Sequence, residues 1–524
     1  MRFGARSFRD INILLFSGGD LSVSSGSFPR QSHASSVSGR DDATSPPAAS
    51  LRPLYVDLDG TLTYTDLLFE SVLLLIKRNP FYLFFCCIWL LRGRGNLKSQ
   101  IARRIELDVS LLPYNAALLA YLQSQRVAGR RLVLASASDR ALVQQVADYL
   151  GIFDAVLGSD ETLNLKSSAK LRAIEADAGV HGFAYAGNTA ADLAVWEHAA
   201  EIIVVNASPG ITSQAQKLQA PVLIIPPRPF KWRLVIKALR LHQWAKNALL
   251  FVPLLAAHDL DGENWLATLL AFVAFGMCAS ATYVINDLFD LASDRAHPRK
   301  QARPFAAATL TIPFGAMLVL VLLPLSLLLA ASISLSFFAL MVLYVVVTLL
   351  YSARLKQIAI VDVLVLASLY THRILAGGLV SEVAISNWLL AVSLFMFLSL
   401  ALVKRCAELE FMSGDGKVEL AGRGYRTSDL SYLISMGIAS GFVAVMLLAL
   451  YIDSQVGGAM YPYAEILWLI LPLILFWVMR LWLKISRMEI HDDPLLFAIT
   501  DRISWIIAAL VVCVALAATL GVMP

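Results

Sequence analysis

From residue 241 onward the chain is a succession of long apolar runs separated by short polar segments. Nine runs are candidate membrane spans: 242–257, 265–285, 313–331, 334–352, 359–379, 388–403, 429–452, 464–483 and 502–522. Most approach the ~20 residues that a helix needs to cross a bilayer, and the first and sixth fall short of it. The segments between them alternate in charge. Those at 286–312, 353–358, 404–428 and 484–501 carry Arg295, Arg299, Lys300, Arg303, Arg354, Lys356, Lys404, Arg405, Lys417, Arg423, Arg426, Lys484 and Arg487. Those at 258–264, 380–387 and 453–463 carry neither Lys nor Arg. Positive loops stay on the cytoplasmic side, so the basic segments are expected there. An odd number of spans then predicts that the preceding half of the chain is also cytoplasmic and that the C-terminal end lies outside.

The first half has a different pattern. Short β-type runs at 53–56, 132–135, 183–186 and 202–205 each end in polar residues, and helical stretches separate them. That alternation predicts a parallel, doubly wound sheet, whose ligands bind at the carboxyl ends of the strands. The polar residues at those ends are Asp57, Asp59, Ser136, Gly187, Asn188 and Asp192. After the first run, 67–91 is unusually apolar and is broken by Lys77-Arg78-Asn79-Pro80. Each half is too short to span, so two helices lying on the membrane surface as a cap are expected. The resulting division is 1–50, a tail; 51–206, an α/β domain with its cap at about 63–130; 207–230, a linker ending in the Pro-rich IIPPRPF; and 231–524, an all-α membrane bundle.

Composition sharpens this picture only in places. Hydrophobic residues are 58% of the 524 and charged residues 16%, with the apolar excess concentrated after residue 241. The net charge of +4 gives no reason to expect nucleic acid as a partner. The five cysteines lack metal-type spacing and read as small hydrophobes in a reducing setting, with no disulfides expected. Residues 1–50, rich in Ser, Arg and Gly, read as a disordered tail or a chain start set too early, with an organelle transit peptide as the alternative. Their one apolar island, 11–16, is too short for a signal-peptide core.

Four short motifs give the first half its chemistry. VDLDGTL (56–62), LVLASAS (132–138), LKSSAK (165–170) and GNTAAD (187–192) resemble, in order, the four motifs of the haloacid-dehalogenase (HAD) superfamily. The resemblance implies that Asp57 is a nucleophile that accepts a phosphoryl group and Asp59 its general acid and base. Ser136 and Lys170 would hold phosphate, and Asp57, Asn188 and Asp192 would hold Mg²⁺. A carboxylate attacking a phosphate needs such cations to offset the repulsion. The fourth motif usually begins Gly-Asp; here it is Gly187-Asn188, which can ligate through oxygen but brings no charge. Lys166 competes with Lys170 for the third-motif role.

The membrane half carries its own acidic constellation. In NDLFDLASDRAHPRKQARP (286–304), Asp287, Asp290 and Asp294 stand at i, i+3 and i+7 and share one helical face over roughly 10 Å. Three carboxylates at the end of a span repel one another, and a hard divalent cation resolves the conflict. The segment resembles the N-D-x-x-D-x-x-x-D signature of the UbiA superfamily of intramembrane prenyltransferases, which implies a nine-helix bundle. Aromatic-acceptor members carry a second acidic cluster; here 351–378 has Asp362 but offers Lys356, His372 and Arg373 in place of further acids. LRLHQWAKN (239–247), YSARLKQIAIVD (351–362), ILAGG (374–378), KRCAEL (404–409) and GYRTSDL (424–430) together are similar to the polyprenyl-phosphate phosphoribosyltransferase branch. That branch implies phosphoribosyl diphosphate as donor and polyprenyl phosphate as acceptor, in the cytoplasmic membrane of a bacterium. Asp287, Asp290 and Asp294 would hold Mg²⁺; Lys246, Arg299, Lys300, Arg303, Lys356, Arg373, Lys404 and Arg405 are available for phosphates; Asn247 and Asn286 suit sugar hydroxyls or helix caps. The alternatives are a prenyltransferase with a polyprenyl diphosphate donor and an aromatic or other small acceptor, and a transporter or lipid-binding protein that uses the acids for ion coupling.

Overall fold

The computed structural model describes residues 51–160, 165–414, 423–454, 461–489, 497, 498 and 500–520. The expected tail at 1–50 and Lys417 lie outside them.

Six strands, β1 (Leu54–Val56), β2 (Leu132–Asp139), β3 (Ala155–Ser159), β4 (Ala184–Gly187), β5 (Glu201–Val205) and β6 (Leu223–Ile225), form one parallel sheet in the order β3-β2-β1-β4-β5-β6. Parallel strands need crossover helices, and these cover both faces. Leu54, Val56, Leu132 and Leu134 face one core, while Tyr55, Val133, Tyr185 and Ile202 face the other. The strand order reverses between β1 and β4, so the chain leaving β1 at Asp57 enters a crevice that no crossover covers. Two strands, β3 and β6, are additions to the expected four. The second lies within 207–230: that stretch is a helix, Pro209–Leu218, followed by the edge strand, and not a bare linker.

Between β1 and β2 the chain forms α1 (Leu67–Arg78), α2 (Tyr82–Leu91), α3 (Arg94–Ala102) and α4 (Ala116–Val127). Asp66 caps α1 by accepting from the Leu68 amide, and Asn79-Pro80 ends it. The two cap helices have different surroundings. Helix α2 buries none of its side chains and exposes Phe81, Leu83, Phe84, Phe85 and Leu91 around it. Helix α1 is packed on two sides. Leu75 meets Leu97 and Ile101, while Leu73 meets Leu288, Leu291 and Leu310 of the membrane half.

The crossovers continue with α5 (Arg140–Leu150), α6 (Ser168–Ala178), α7 (Leu193–Trp196) and α8 (Pro209–Leu218). The membrane half contains α9 (Trp232–Leu239), α10 (Val252–Ala257), α11 (Gly262–Phe289), α12 (Leu291–Ala296), α13 (Ile312–Ile333), α14 (Leu335–Ala353), α15 (Val361–Val380), α16 (Asn387–Gly414), α17 (Leu430–Asp453), α18 (Ile470–Ser486) and α19 (Arg502–Leu520). Among the described residues eight helical stretches are long and apolar enough to cross a membrane, one fewer than expected. The missing one is the first. Residues Leu241–Phe251 wind as 3-10 helix and only Val252–Ala257 is α-helical. His242, Gln243, Lys246 and Asn247 interrupt its apolar face, and Pro253 starts the short helix. This segment lies close against α15: a Cβ on Gly377 would come 2.1 Å from the Leu250 carbonyl oxygen.

Gly377→Ala therefore forces backbone apart and is expected to destabilise the membrane half by about 1–3 kcal/mol. Gly262→Ala, which meets open space at the start of α11, is the control. Thermal unfolding in detergent checks this, with the Gly377 variant melting below both wild type and control; equal melting of all three contradicts it.

Candidate functional site

The sheet crevice gathers most of the residues named from the first half. Asp57 follows β1, and its amide donates to the Ala186 carbonyl of β4 at 2.9 Å. Lys170 Nζ, from the first turn of α6, lies 2.6 Å from Asp57 Oδ1, 2.9 Å from the Tyr185 hydroxyl and 3.7 Å from Asp192 Oδ1. Lys170 thus lies between the two acids Asp57 and Asp192. Thr61 donates to the second Asp57 oxygen at 3.3 Å. Burial pushes the Asp57 carboxyl up to about 7; Lys170 opposes the shift, and Asp192 and Asp59 add to it. Asp192 goes the other way: against its burial, Lys170, the Tyr185 hydroxyl and Thr189 hold it below the usual carboxylate range.

Asp192 is occupied within its own loop. Its Oδ2 accepts from the Asn188 and Thr189 amides and the Thr189 hydroxyl, and its Oδ1 accepts from Tyr185 at 2.7 Å. Asn188 is the more available oxygen. Its Oδ1 is buried without a hydrogen-bond partner, and its amide lies over the Gly60 turn, where a Cβ would be 2.2 Å away. Gly60, at φ +77°, also needs the left-handed region that glycine enters readily. An orphaned, buried carbonyl oxygen in the loop of Asp192 fits a Mg²⁺ ligand through oxygen chemistry.

Asp59 is oriented from three sides. It accepts from the Leu67 amide at 2.8 Å, Ser136 at 3.0 Å and Ser138 at 2.6 Å. Ser136, expected on phosphate, is turned to Asp59 here. Ser138, Tyr185 and Thr61 were not anticipated. Ser138 had a signal, because it follows Ser136 by two on a strand and so shares its face.

In the membrane half, helix α11 ends at Phe289, with Asp290 between it and α12, yet Asp290 and Asp294 keep their i−4 amide bonds to Asn286 and Asp290. The three acids therefore stay near one another but do not share one partner. Asp287, buried, is 2.5 Å from Arg240 and 3.2 Å from Arg303. Asp294, also buried, is 2.6 Å from Arg303. Asp290 turns to Lys356 at 2.7 Å and to Lys77 of α1 at 3.4 Å. Against its burial, Lys356 and Lys77 hold Asp290 below the usual range. Carboxylates at the C-terminal end of a helix face its negative pole, so this cluster depends on those cations.

Two of the four cations, Arg240 and Lys77, were not assigned to phosphate from sequence; their partners are 47 and 213 residues away. The remaining expected cations divide into groups. Arg373 is buried among the rings of Phe275, Tyr344 and Tyr370, and its Nε donates to Asn247 Oδ1 at 3.0 Å. Lys246 lies over the same Tyr370 ring, and Asn247 Nδ2 is buried without a partner. Arg405, fully buried, is 2.5 Å from Asp362, which also binds Arg423 at 2.9 Å and the Tyr351 hydroxyl at 2.6 Å. Arg299 and Lys300 are exposed, while Lys404 and Asn286 are half-buried.

Among the described residues no group of three or more His, Cys, Asp or Glu converges as a ready metal site. The donor set still fits a hard cation. Asp287, Asp290 and Asp294 offer only oxygen, the donor type that a hard divalent cation takes.

Residues 248–498 match the UbiA prenyltransferase family. The protein y4nM of Sinorhizobium fredii is 36% identical over 466 residues, a match covering 88% of this chain and 89% of the relative. The nodulation protein NoeC of Azorhizobium caulinodans is 35% identical over 266 residues, covering 51% of this chain and 86% of the relative. A decaprenyl-phosphate phosphoribosyltransferase of Mycolicibacterium smegmatis is 34% identical over 205 residues, covering 38% of this chain and 64% of the relative. Among solved structures, a UbiA homolog from Archaeoglobus fulgidus bound to GPP and Mg²⁺ aligns at TM-score 0.42 and 18% identity, over 54% of this chain and 99% of that one. A phosphoserine phosphatase in apo form aligns at TM-score 0.26 and 16% identity, over 36% of this chain and 97% of that one. With its acid-ended α11 and its match over 248–498, the membrane half of this chain is of the UbiA prenyltransferase type.

Proposed function

We propose that the membrane half transfers phosphoribose from phosphoribosyl diphosphate to a polyprenyl phosphate, and that the sheet domain then removes the 5-phosphate. The observation that carries this is the balance of charge. One acidic cluster is faced by Arg240, Arg303, Lys356 and Lys77, while Asp362 is tied to Arg405 and Arg423. A donor with both a diphosphate and a separate phosphate suits many cations and one metal-binding acid cluster. The relatives named decaprenyl-phosphate phosphoribosyltransferases support the same donor.

In the transfer, an oxygen of the lipid phosphate attacks the anomeric carbon. The bond from that carbon to the diphosphate breaks, and its electron pair leaves with pyrophosphate. Asp287, Asp290 and Asp294 would hold Mg²⁺, which would supply charge neutralisation for the leaving group. Arg303, Lys356 and Arg240, released from the acids, bind phosphate oxygens. Asn247 and Asn286 offer hydrogen bonds to ribose hydroxyls. In the sheet domain Asp57 attacks the 5-phosphorus, and the ribose oxygen leaves with a proton from Asp59. Water then cleaves the acyl phosphate at Asp57, giving up a proton to Asp59 and releasing phosphate. Lys170 holds the phosphate and keeps Asp57 in place. In this reading both sites open on the cytoplasmic side of a bacterial membrane, with α2 resting on the lipid surface.

The second reading is transfer of a prenyl group from its diphosphate to a small acceptor. The family match over 248–498 favours it, since the donor diphosphate would use the same acids.

Asp290→Ala is expected to lower transfer at least ~100-fold, because a lost metal ligand removes several kcal/mol of charge stabilisation. Pyrophosphate release from phosphoribosyl diphosphate in the presence of polyprenyl phosphate measures it; turnover near wild type contradicts the metal role. Asp57→Asn is expected to leave transfer intact and stop the product at the 5-phosphorylated lipid. Mass spectrometry of the lipid products reads this, with ribosyl lipid and free phosphate expected from wild type. If both proteins stop at the phosphorylated species, the sheet domain does not act on it.

A further inference from the structure

Helix α1 belongs to the sheet domain in sequence but touches both candidate sites. At its start the Leu67 amide donates to Asp59 Oδ1 at 2.8 Å. Ten residues later, Lys77 Nζ donates to the Phe289 carbonyl at 2.7 Å and lies 3.4 Å from Asp290 Oδ1. At the rise of an α-helix those residues are roughly 15 Å apart along its axis. Glu70, Leu73 and Lys77 stand at i, i+3 and i+7, on one face, and that face meets the membrane half.

The contacts along this face differ in kind. Glu70 and Arg295 form a buried forked pair, at 2.6 and 3.3 Å, with side chains 5% and 9% exposed. Such a pair fixes the helix in register, since losing either partner leaves a buried charge. Arg228 adds a second tie, stacked 3.6 Å over Tyr64 and donating to the Ala307 carbonyl at 2.8 Å. Lys77 is different. Its side chain is 43% exposed, and an exposed ion pair contributes little to stability. Its ammonium has three donors, and a carbonyl and one carboxylate oxygen account for two. What holds α1 is Glu70; what Lys77 adds is positive charge at the open side of the acid cluster, beside Lys356.

We infer that Lys77 is a phosphate ligand of the membrane transferase site, supplied by the sheet domain and held in position by the Glu70–Arg295 pair. The inference rests on the donor being a diphosphate, as proposed above. When the donor arrives with its metal, Asp290 turns to the metal and the ammoniums of Lys77 and Lys356 pass to the phosphate oxygens. The sheet domain is then part of the transferase and not an independent module on the same chain. A phosphorylated product leaving Asp290 would also begin its path along α1, whose other end is at Asp59.

The test uses the full chain in detergent, as wild type, Lys77→Met and Lys77→Arg. Two quantities are measured: steady-state transfer against phosphoribosyl diphosphate concentration, and equilibrium binding of pyrophosphate with Mg²⁺ by calorimetry. Losing one charge-assisted contact predicts a donor KM and a pyrophosphate Kd raised roughly tenfold or more in Lys77→Met. The change in kcat should be smaller, and Lys77→Arg should recover most of the loss. A merely structural lysine would not give this split. Unchanged KM and pyrophosphate affinity in Lys77→Met overturns the inference. If wild type transfers no phosphoribose, the functional reading fails, and pyrophosphate binding alone decides on Lys77: weakened in Lys77→Met it stands, unchanged it falls. Should Lys77→Met not insert, Lys77→Gln takes its place in both measurements.

Discussion

Three carboxylates at the negative end of a buried helix are the constraint around which the membrane half is arranged. Asn286 and Asp287 lie in the last turn of helix α11, which ends at Phe289, and Asp290 and Asp294 follow within two turns. Helix polarity, mutual repulsion and burial all oppose charge there. Cations drawn from far along the chain balance it: Arg240 from the turn after α9, Arg303 from the loop before α13, Lys356 from the turn after α14 and Lys77 from the sheet domain. If only stability were at stake, apolar residues would serve better, since buried ion pairs rarely improve on them. Acids retained in such a place, with cations that can change partner, suit a ligand that brings both a metal and phosphates.

The second site obeys the same economy of charge on a different scaffold. The reversal of strand order between β1 and β4 leaves a crevice at Asp57, and β4 brings Gly187 and Asn188 to its other wall. Lys170 faces two acids at once, Asp57 and Asp192. Here too one buried cation holds two buried carboxylates. Helix α1 runs from one site to the other: its Leu67 amide meets Asp59, Glu70 fixes it on Arg295, and Lys77 reaches Asp290.

What could be read from the chain followed how local the cause was. The strands β1, β2, β4 and β5 were visible because a fully buried parallel strand is an apolar run with a polar end. The strand β3 was not, because it is only half-buried and contains Gly158; β6 is a three-residue edge strand that looks like part of a Pro-rich connection. The spacing of Asp287, Asp290 and Asp294 was plain, and so was the break in the cap at Asn79-Pro80. The first span was misjudged, because apolar composition over Leu241–Phe251 does not distinguish an α-helix from the tighter winding that its polar residues impose. The partners of the acids were the least legible. Glu70 with Arg295 and Lys77 with Asp290 join residues more than 200 apart, and no periodicity within either segment signals the other.

If this acid cluster and its cations take phosphoribosyl diphosphate as donor, ribose passes from it to the lipid. The direct measurement is to give the purified chain, with Mg²⁺, ribose-labelled phosphoribosyl diphosphate and polyprenyl phosphate in one reaction. A parallel reaction contains polyprenyl diphosphate with a small aromatic acceptor. Ribose label is then expected in the lipid phase, with one pyrophosphate released for each lipid labelled and none released in the parallel reaction. Pyrophosphate released only in the parallel reaction, with no ribose in the lipid phase, would contradict it.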